Sequence, residues 1–404
     1  MRFRAILPIY LAVLAALPWI YLRLTGFHGS PVFEALFSGM AILGAAFLLS
    51  WAAELAQLEI SAALAVAVLS LIAVLPEYSV DVYFAWQAGK DPVYAQYAVA
   101  NMTGANRLLI GLGWSSVVLL FWWKAKQTVL RLEKKDNLEI GALTFATLYA
   151  ITIPFKGSLS LIDTAVLIAL FVFYIRATSR QGVEEPELMG PALALSTLPQ
   201  SGRRRATVLM FLYAAVAILL SAEPFAEGLV ETGKLLGVDE FLLVQWLAPL
   251  ASEAPEFIVA SLFALQGRAS LGIRTMISSK VNQWTLLIGM LPLAYAISSG
   301  GFHAMPLDPR QADEVMLTVA QSAFAVVLLS RFQFSVGAAI ALAVLFIVQF
   351  FMPAWHDPFI IIYFALAVLL LVLNPGRIVS LIDSVGTIFR RQPDEQEKVS
   401  KTQP

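Results

Sequence analysis

LPEYSVDVYFAWQ (residues 75–87) and APEFIVASLFALQ (residues 254–266) are two copies of one segment. Pro255 stands 179 positions after Pro76, and at that constant offset Glu77/Glu256, Val80/Val259, Phe84/Phe263, Ala85/Ala264 and Gln87/Gln266 are identical. Tyr78 and Phe257 are a close pair. Each copy passes through a short Gly-containing turn into a second apolar stretch that reaches LLIG, at Leu108–Gly111 and Leu286–Gly289. Chance could repeat Leu and Ala in two apolar helices, but not a Pro-Glu pair at equal depth in both.

The surrounding composition places these copies in a bilayer. Of 404 residues, 59% are hydrophobic and 14% charged, with mean hydropathy +0.76. Soluble domains carry about 25% charged residues. Apolar windows close to bilayer length predict about twelve spans, including 60–88, 93–123, 240–266, 270–298 and 315–331. They are continuous rather than alternating, so helices are expected and a barrel is not. Five spans separate the first helices of the two copies. That number is odd, so the copies cross in opposite directions, as an inverted-topology repeat does. The fold expected is an all-α membrane protein of about twelve transmembrane helices in two inverted repeats, with broken helices at Pro76 and Pro255.

Basic residues orient the chain. With the N-terminus in the cytoplasm, Arg2, Arg4, Lys124, Lys126, Lys134, Lys135, Arg203, Arg204, Arg205, Arg390 and Arg391 fall inside. Arg23, Lys90, Lys156, Lys234 and Arg310 fall outside. A multi-pass protein of the cell inner membrane with both termini cytoplasmic is expected. The expected units are an extra N-terminal span (1–31), a first repeat (32–176), a cytoplasmic loop (177–205), a second repeat (206–353), an extra C-terminal span (354–375) and a disordered tail (376–404). The basic, apolar N-terminus reads as a retained span, because no small-residue cleavage site stands out before Pro31. Trp19, Trp51, Trp122, Trp123 and Trp355 read as interface anchors, and Arg107 and Arg274 as interfacial or structural.

Several chemistries are excluded or find no support. The chain has no cysteine, so disulfides and thiolate metal sites are impossible. His28, His303 and His356 lie in expected loops. No Gly-rich phosphate loop is present. An intramembrane enzyme would need a nucleophile–base pair or a metal cluster, and neither has recognisable spacing. No cofactor is expected, and the partners expected are the lipid bilayer and cations, with no nucleic acid.

The chemistry that remains is the pair Pro76-Glu77 and Pro255-Glu256. Proline removes a helix hydrogen bond and frees carbonyls of the preceding turn. A neighbouring carboxylate adds charge, and hard cations favour such oxygen ligands. Acids within a span are costly and point to function. Asp81 follows Glu77 by one turn on the same face.

With these residues the sequence resembles the cation/calcium exchanger superfamily, which includes sodium/calcium exchangers. Each family repeat carries G-T-S-L-P-E and later G-N-x-x-G-S-N. The chain keeps Leu75-Pro76-Glu77, and its second copy reads Ala251-Ser252-Glu253-Ala254-Pro255-Glu256. The later motif becomes Ala100-Asn101-Met102-Thr103-Gly104-Ala105-Asn106 and Arg274-Thr275-Met276-Ile277-Ser278-Ser279-Lys280. The resemblance spans about residues 32–353. It implies that Glu77 and Glu256 bind the transported metal cation. Asn106 maps onto a ligand Asn, although an insertion near Lys90–Tyr97 lets Asn101 compete for that place. Ser252 matches a hydroxyl ligand, Glu253 replaces a Ser, and Ser278 and Ser279 offer oxygens. Lys280 falls where the family has a polar or acidic ligand; there it compensates charge or takes part in coupling, paired with Asp81, Glu77 or Glu253. The implied function is secondary active antiport of Ca²⁺ or another cation against Na⁺ or H⁺. The alternatives are a transporter of another solute or a proton-coupled carrier on the same fold and, further off, an intramembrane enzyme. Reporter fusions at Gly182 and at the C-terminus should both read cytoplasmic; a periplasmic signal at either would overturn the twelve-span topology.

Overall fold

The computed structural model describes residues 2–60, 74–180 and 188–389. The first half of the expected span 60–88 lies outside the described residues. Two helices, α1 (Arg2–Leu24) and α2 (Pro31–Ala56), precede α3 (Leu75–Ala88). Then follow α4 (Ala95–Leu108), a π turn (Leu109–Trp114) and α5 (Ser115–Ala125). The first half closes with α6 (Asn137–Ala150), α7 (Thr152–Lys156) and α8 (Leu161–Thr178). After a short α9 (Gly190–Ser196), the second half runs through α10 (Gln200–Leu236), α11 (Glu240–Leu265), α12 (Ala269–Asn282), a π turn (Gln283–Leu287) and α13 (Ile288–Ser298). It ends with α14 (Pro309–Leu329) and α15 (Val336–Phe351), followed by α16 (His356–Leu373) and α17 (Gly376–Phe389). Among the described residues, nine helices are long and apolar enough to span a membrane. Segments 269–298 and 336–351 add crossings that a π turn interrupts or that are short.

The duplication is visible in the backbone. Ala95–Leu108 and Ala269–Asn282 are both 14 residues, and each is followed by a π turn and then an 11-residue helix. π turns recur where a helix is adapted to a site. The offset here is 174, against 179 at Pro76/Pro255, because the first copy holds an extra 3-10 turn at Pro92–Tyr94. That insertion brings Asn106 into register with Lys280: each is the twelfth residue of its helix.

Two short ribbons tie the halves together. Strand β1 (Val129–Arg131) pairs antiparallel with β4 (Gln333–Ser335), with Leu130 opposite Phe334. Strand β2 (Ser158–Leu159) pairs with β3 (Met305–Pro306). β1 and β3 each follow the third-helix segment of a half, while β2 and β4 each precede its last helix, so inversion of the halves exchanges the two ribbons. Pairing demands that both strands of a ribbon share one face. An even number of crossings separates β1 from β4, and likewise β2 from β3, whereas one crossing separates β1 from β2. On the face that carries β1 and β4, Glu59 accepts from Arg203 at 2.6 Å and from Arg204 at 2.7 Å. The Arg204 and Arg203 guanidinium groups hold its carboxyl below the usual carboxylate range.

Five expectations change. Residues 376–389 form a helix rather than a disordered tail, because their serines and threonine find partners on the bundle; residues 390–404 lie outside the description. The connector 177–205 holds α9 and the first turns of α10, leaving only 181–187 undescribed. Pro76 does mark a helix start, but Pro255 lies within the unbroken α11, so the interruption there is a missing hydrogen bond and not two segments. Trp19 and Trp51 are buried at 1% and 9% exposure, with the Trp19 indole donating to the Leu220 carbonyl, whereas Trp122, Trp123 and Trp355 are exposed. His356 begins α16 and packs inward against Glu314.

Proline and glycine together set the closest approach. Pro249 within α11 has no N–H to offer the Gln245 carbonyl. Gly104 of α4 packs on that oxygen so closely that a Cβ would stand 1.8 Å from it. Gly104→Ala should therefore cost at least about 1–3 kcal/mol through overpacking against backbone. Gly337→Ala, with nothing within 4 Å, should be neutral. Thermal unfolding of the two variants in detergent checks this; equal midpoints would refute the close approach.

Candidate functional site

The acids come from the two copies of the repeat. Pro76 opens α3, and Glu77 sits in its first turn, where the helix dipole favours an anion. Asp81 lies one turn on. Glu77 is 3% exposed and Asp81 is fully buried. Across from them α11 presents Ser252 and Glu253, both buried, and the half-buried Glu256 three residues later. The carboxyls of Glu77 and Glu253 face each other within hydrogen-bonding reach. Gln283, the first residue of the second π turn, donates to Glu253.

Many oxygens in this cluster have no partner. Glu77 Oε1, both Asp81 oxygens, Glu253 Oε2, Glu256 Oε2 and Gln283 Oε1 are buried without a hydrogen bond. Leaving such groups bare in an apolar interior is costly. Two carboxyls in contact there cannot both stay charged without a cation or a proton between them. Among the described residues, no group of three or more His, Asp or Glu is gathered tightly enough to hold a metal ion by itself.

Lys280 is fully buried beside these acids. Its ammonium donates to Asn106 Oδ1 at 2.6 Å and to the Asn106 carbonyl at 3.4 Å, and lies 4.2 Å from the centre of the Trp284 ring. Glu77 and Glu253 act on it through space. The expected carboxylate partner is thus replaced by an amide oxygen and a π face, which meet the ammonium's donors without a second buried charge. Asn101 lies beside Asp81, away from this contact. The Ser252 hydroxyl turns back to Ala248 and Pro249 on its own helix, at 3.2 and 3.4 Å. Ser279 is buried, whereas Ser278 is taken by the Tyr174 hydroxyl at 3.0 Å. Glu223 is exposed and paired with Arg23 at 3.7 Å.

A second polar cluster escaped the sequence reading. Arg107 is buried and pairs with buried Glu314 at 2.5 Å. Gln245 donates to Glu314 at 2.9 Å and to Thr103 at 3.3 Å, and His356 Nδ1 stands 3.4 Å from the other Glu314 oxygen. Glu314 sits one residue before the apolar window 315–331, which hid it. Gln283, also missed, was within reach of pattern reasoning: it follows Lys280 by three residues on the same helix face.

The family model described as "Sodium/calcium exchanger protein" matches residues 30–179 and again 206–355. A solved structure of an H⁺/Ca²⁺ exchanger, CAX, is 42% identical, covering 96% of this chain and 99% of its own, with TM-score 0.91. YfkE is 14% identical over 85% of this chain and 98% of its own, with TM-score 0.60. The sodium-calcium exchanger NCX_Mj is 17% identical over 79% and 97%, with TM-score 0.52. These last two likenesses are of fold. None of the curated protein sequences matches the chain.

The Arg107–Glu314 pair yields a stability prediction. Arg107→Met leaves Glu314 buried without its ion partner and should cost about 3–5 kcal/mol. Adding Glu314→Met should restore most of that loss. Thermal unfolding of the single and double variants is the check; an equally unstable double variant would contradict the pairing.

Proposed function

The chain belongs to the sodium/calcium exchanger protein family and is a secondary active cation antiporter, and we propose that it exchanges Ca²⁺ for protons at the carboxyl cluster between its halves. One observation carries this reading: carboxyls from both repeats, Glu77 with Asp81 and Glu253 with Glu256, lie together, each with at least one buried oxygen that has no hydrogen-bond partner. Such oxygens accept either protons or a hard cation. Ca²⁺ takes roughly 6–8 oxygen ligands at about 2.3–2.6 Å. A proton shared by facing carboxyls and a divalent cation compete for the same lone pairs, and that competition is the exchange.

The ligands are divided between the halves, so rocking one half against the other changes their spacing. Glu77 and Glu256 serve as the principal cation ligands. Glu253, with its Gln283 donor, adds a third acid, and Asp81 extends the negative field along α3. The Ser279 oxygen, and those of Asn106 and Ser252 once their present partners release them, complete the coordination sphere. Lys280 places its amine, for charge compensation or coupling, where the symmetry-related helix has the neutral Asn106. An antiporter of two inverted halves alternates access around one such midplane site. The 42% identity to the H⁺/Ca²⁺ exchanger supports this choice of ions. The Lys and Arg clusters support an inner-membrane placement, with the β1–β4 face and both termini in the cytoplasm.

The test is flux in proteoliposomes. An imposed pH gradient should drive Ca²⁺ uptake, with an equal Na⁺ gradient ineffective. Glu77→Gln and Glu256→Gln should each abolish uptake while leaving the protein folded. Uptake driven by Na⁺ alone would reject proton coupling, and parental rates in both variants would move the cation site elsewhere.

A further inference from the structure

The C-terminal helix α17 is amphipathic with its polar side inward. Ser380, Ser384 and Thr387 share one face, at spacings of four and three. Ile378, Ile382, Val385 and Phe389 share the opposite one. The polar face is fully engaged with the bundle. Ser380 donates to the Ser330 carbonyl at the end of α14, and Ser384 donates to Asn137 at the start of α6. Asn137 donates in turn to Thr387 at 3.0 Å, and Arg377 donates to the Val327 carbonyl at 2.7 Å. Gly141 of α6 lies directly beneath: a Cβ there would stand 2.1 Å from the Ser384 carbonyl oxygen. The outward face is bare apolar surface, with Ile378 45%, Val379 69%, Ile382 68% and Phe389 53% exposed.

We propose that α17 is a membrane-interface helix whose outward face is covered by lipid, and that it fastens the first half to the second on the β1–β4 face. Three observations select lipid as the occupant. First, α17 leaves the apolar α16 through Asn374 and Pro375, which end that helix, so it cannot lie far from the bilayer surface. Second, its crossing point on α6 is Gly141, four residues inside the helix end. At about 1.5 Å per residue, that is a depth of about 6 Å. Interfacial helices bury their apolar face by about 5–10 Å. Third, the apolar face continues the surface of a spanning helix: the Phe389 ring lies 5.7 Å from that of Phe173 on α8, itself 44% exposed. In the sequence, Arg390 and Arg391 follow at once, suited to anionic headgroups.

The chain has no cysteine, so single labels are clean. Val379→Cys and Ile382→Cys, each carrying a nitroxide, would be compared in anionic liposomes with His303→Cys in an exposed loop. Collision with oxygen, relative to collision with a water-soluble nickel chelate, should be at least about threefold higher at 379 and 382 than at 303, as expected for acyl-chain contact. Ready access of the chelate to 379 and 382 would overturn the proposal. So would spin–spin broadening from a second copy seated on that face. Gly141→Leu, which removes the room under Ser384, should raise label mobility at 379; unchanged mobility would overturn the docking of the polar face.

Discussion

The interior charge is the constraint from which the rest of the structure follows. Four carboxyls (Glu77, Asp81, Glu253 and Glu256) are held at the junction of two apolar halves, where ionised oxygens cannot stay unneutralised. Everything nearby is arranged around that cost. The helix end at Pro76 turns its positive pole towards Glu77, Gln283 donates to Glu253, and Lys280 lies beside the acids without closing a salt bridge. Neutralisation remains incomplete: several carboxyl oxygens keep no partner, and the proposed exchange rests on them.

Around this centre the duplicated halves are joined at both faces by the same device. The β1–β4 and β2–β3 ribbons exchange under inversion, and each is short enough to act as a tie between loops rather than as a sheet. Tight helix contacts complete the frame. The Gln245 carbonyl, left without a helix donor by Pro249, is met by Gly104, and the adjacent Arg107 is locked by Glu314. Asn106 sits between this rigid patch and the Lys280 ammonium. The Asn106 side of α4 therefore shares its backbone with a buried ion pair, which fixes one wall of the acid cluster.

How much could be read beforehand follows from the range of each interaction. The Pro-Glu duplication, the one-turn spacing of Glu77 and Asp81 and the insertion near Lys90–Tyr97 are local or periodic, and they stand in the chain itself, but only the helix boundaries pair Asn106 rather than Asn101 with Lys280. Glu314 and Gln245 could not be joined to Arg107 that way: they lie 207 and 138 positions from it and meet only through packing. The tail misled for a related reason. Residues 376–389 look soluble because they are short and carry serines, yet the serines are satisfied by Ser330 and Asn137, far away in sequence.

The sequence by itself determined that this is a helical membrane protein of two inverted halves with paired intramembrane acids, because hydropathy, periodicity and duplication are properties of the chain alone. Only the tertiary structure decided which oxygens face each other, that Lys280 rests on Asn106 rather than on a carboxylate, and that α17 turns its serines inward. Those choices depend on distances between distant segments, where burial makes every unpaired donor or acceptor costly and so selects one partner.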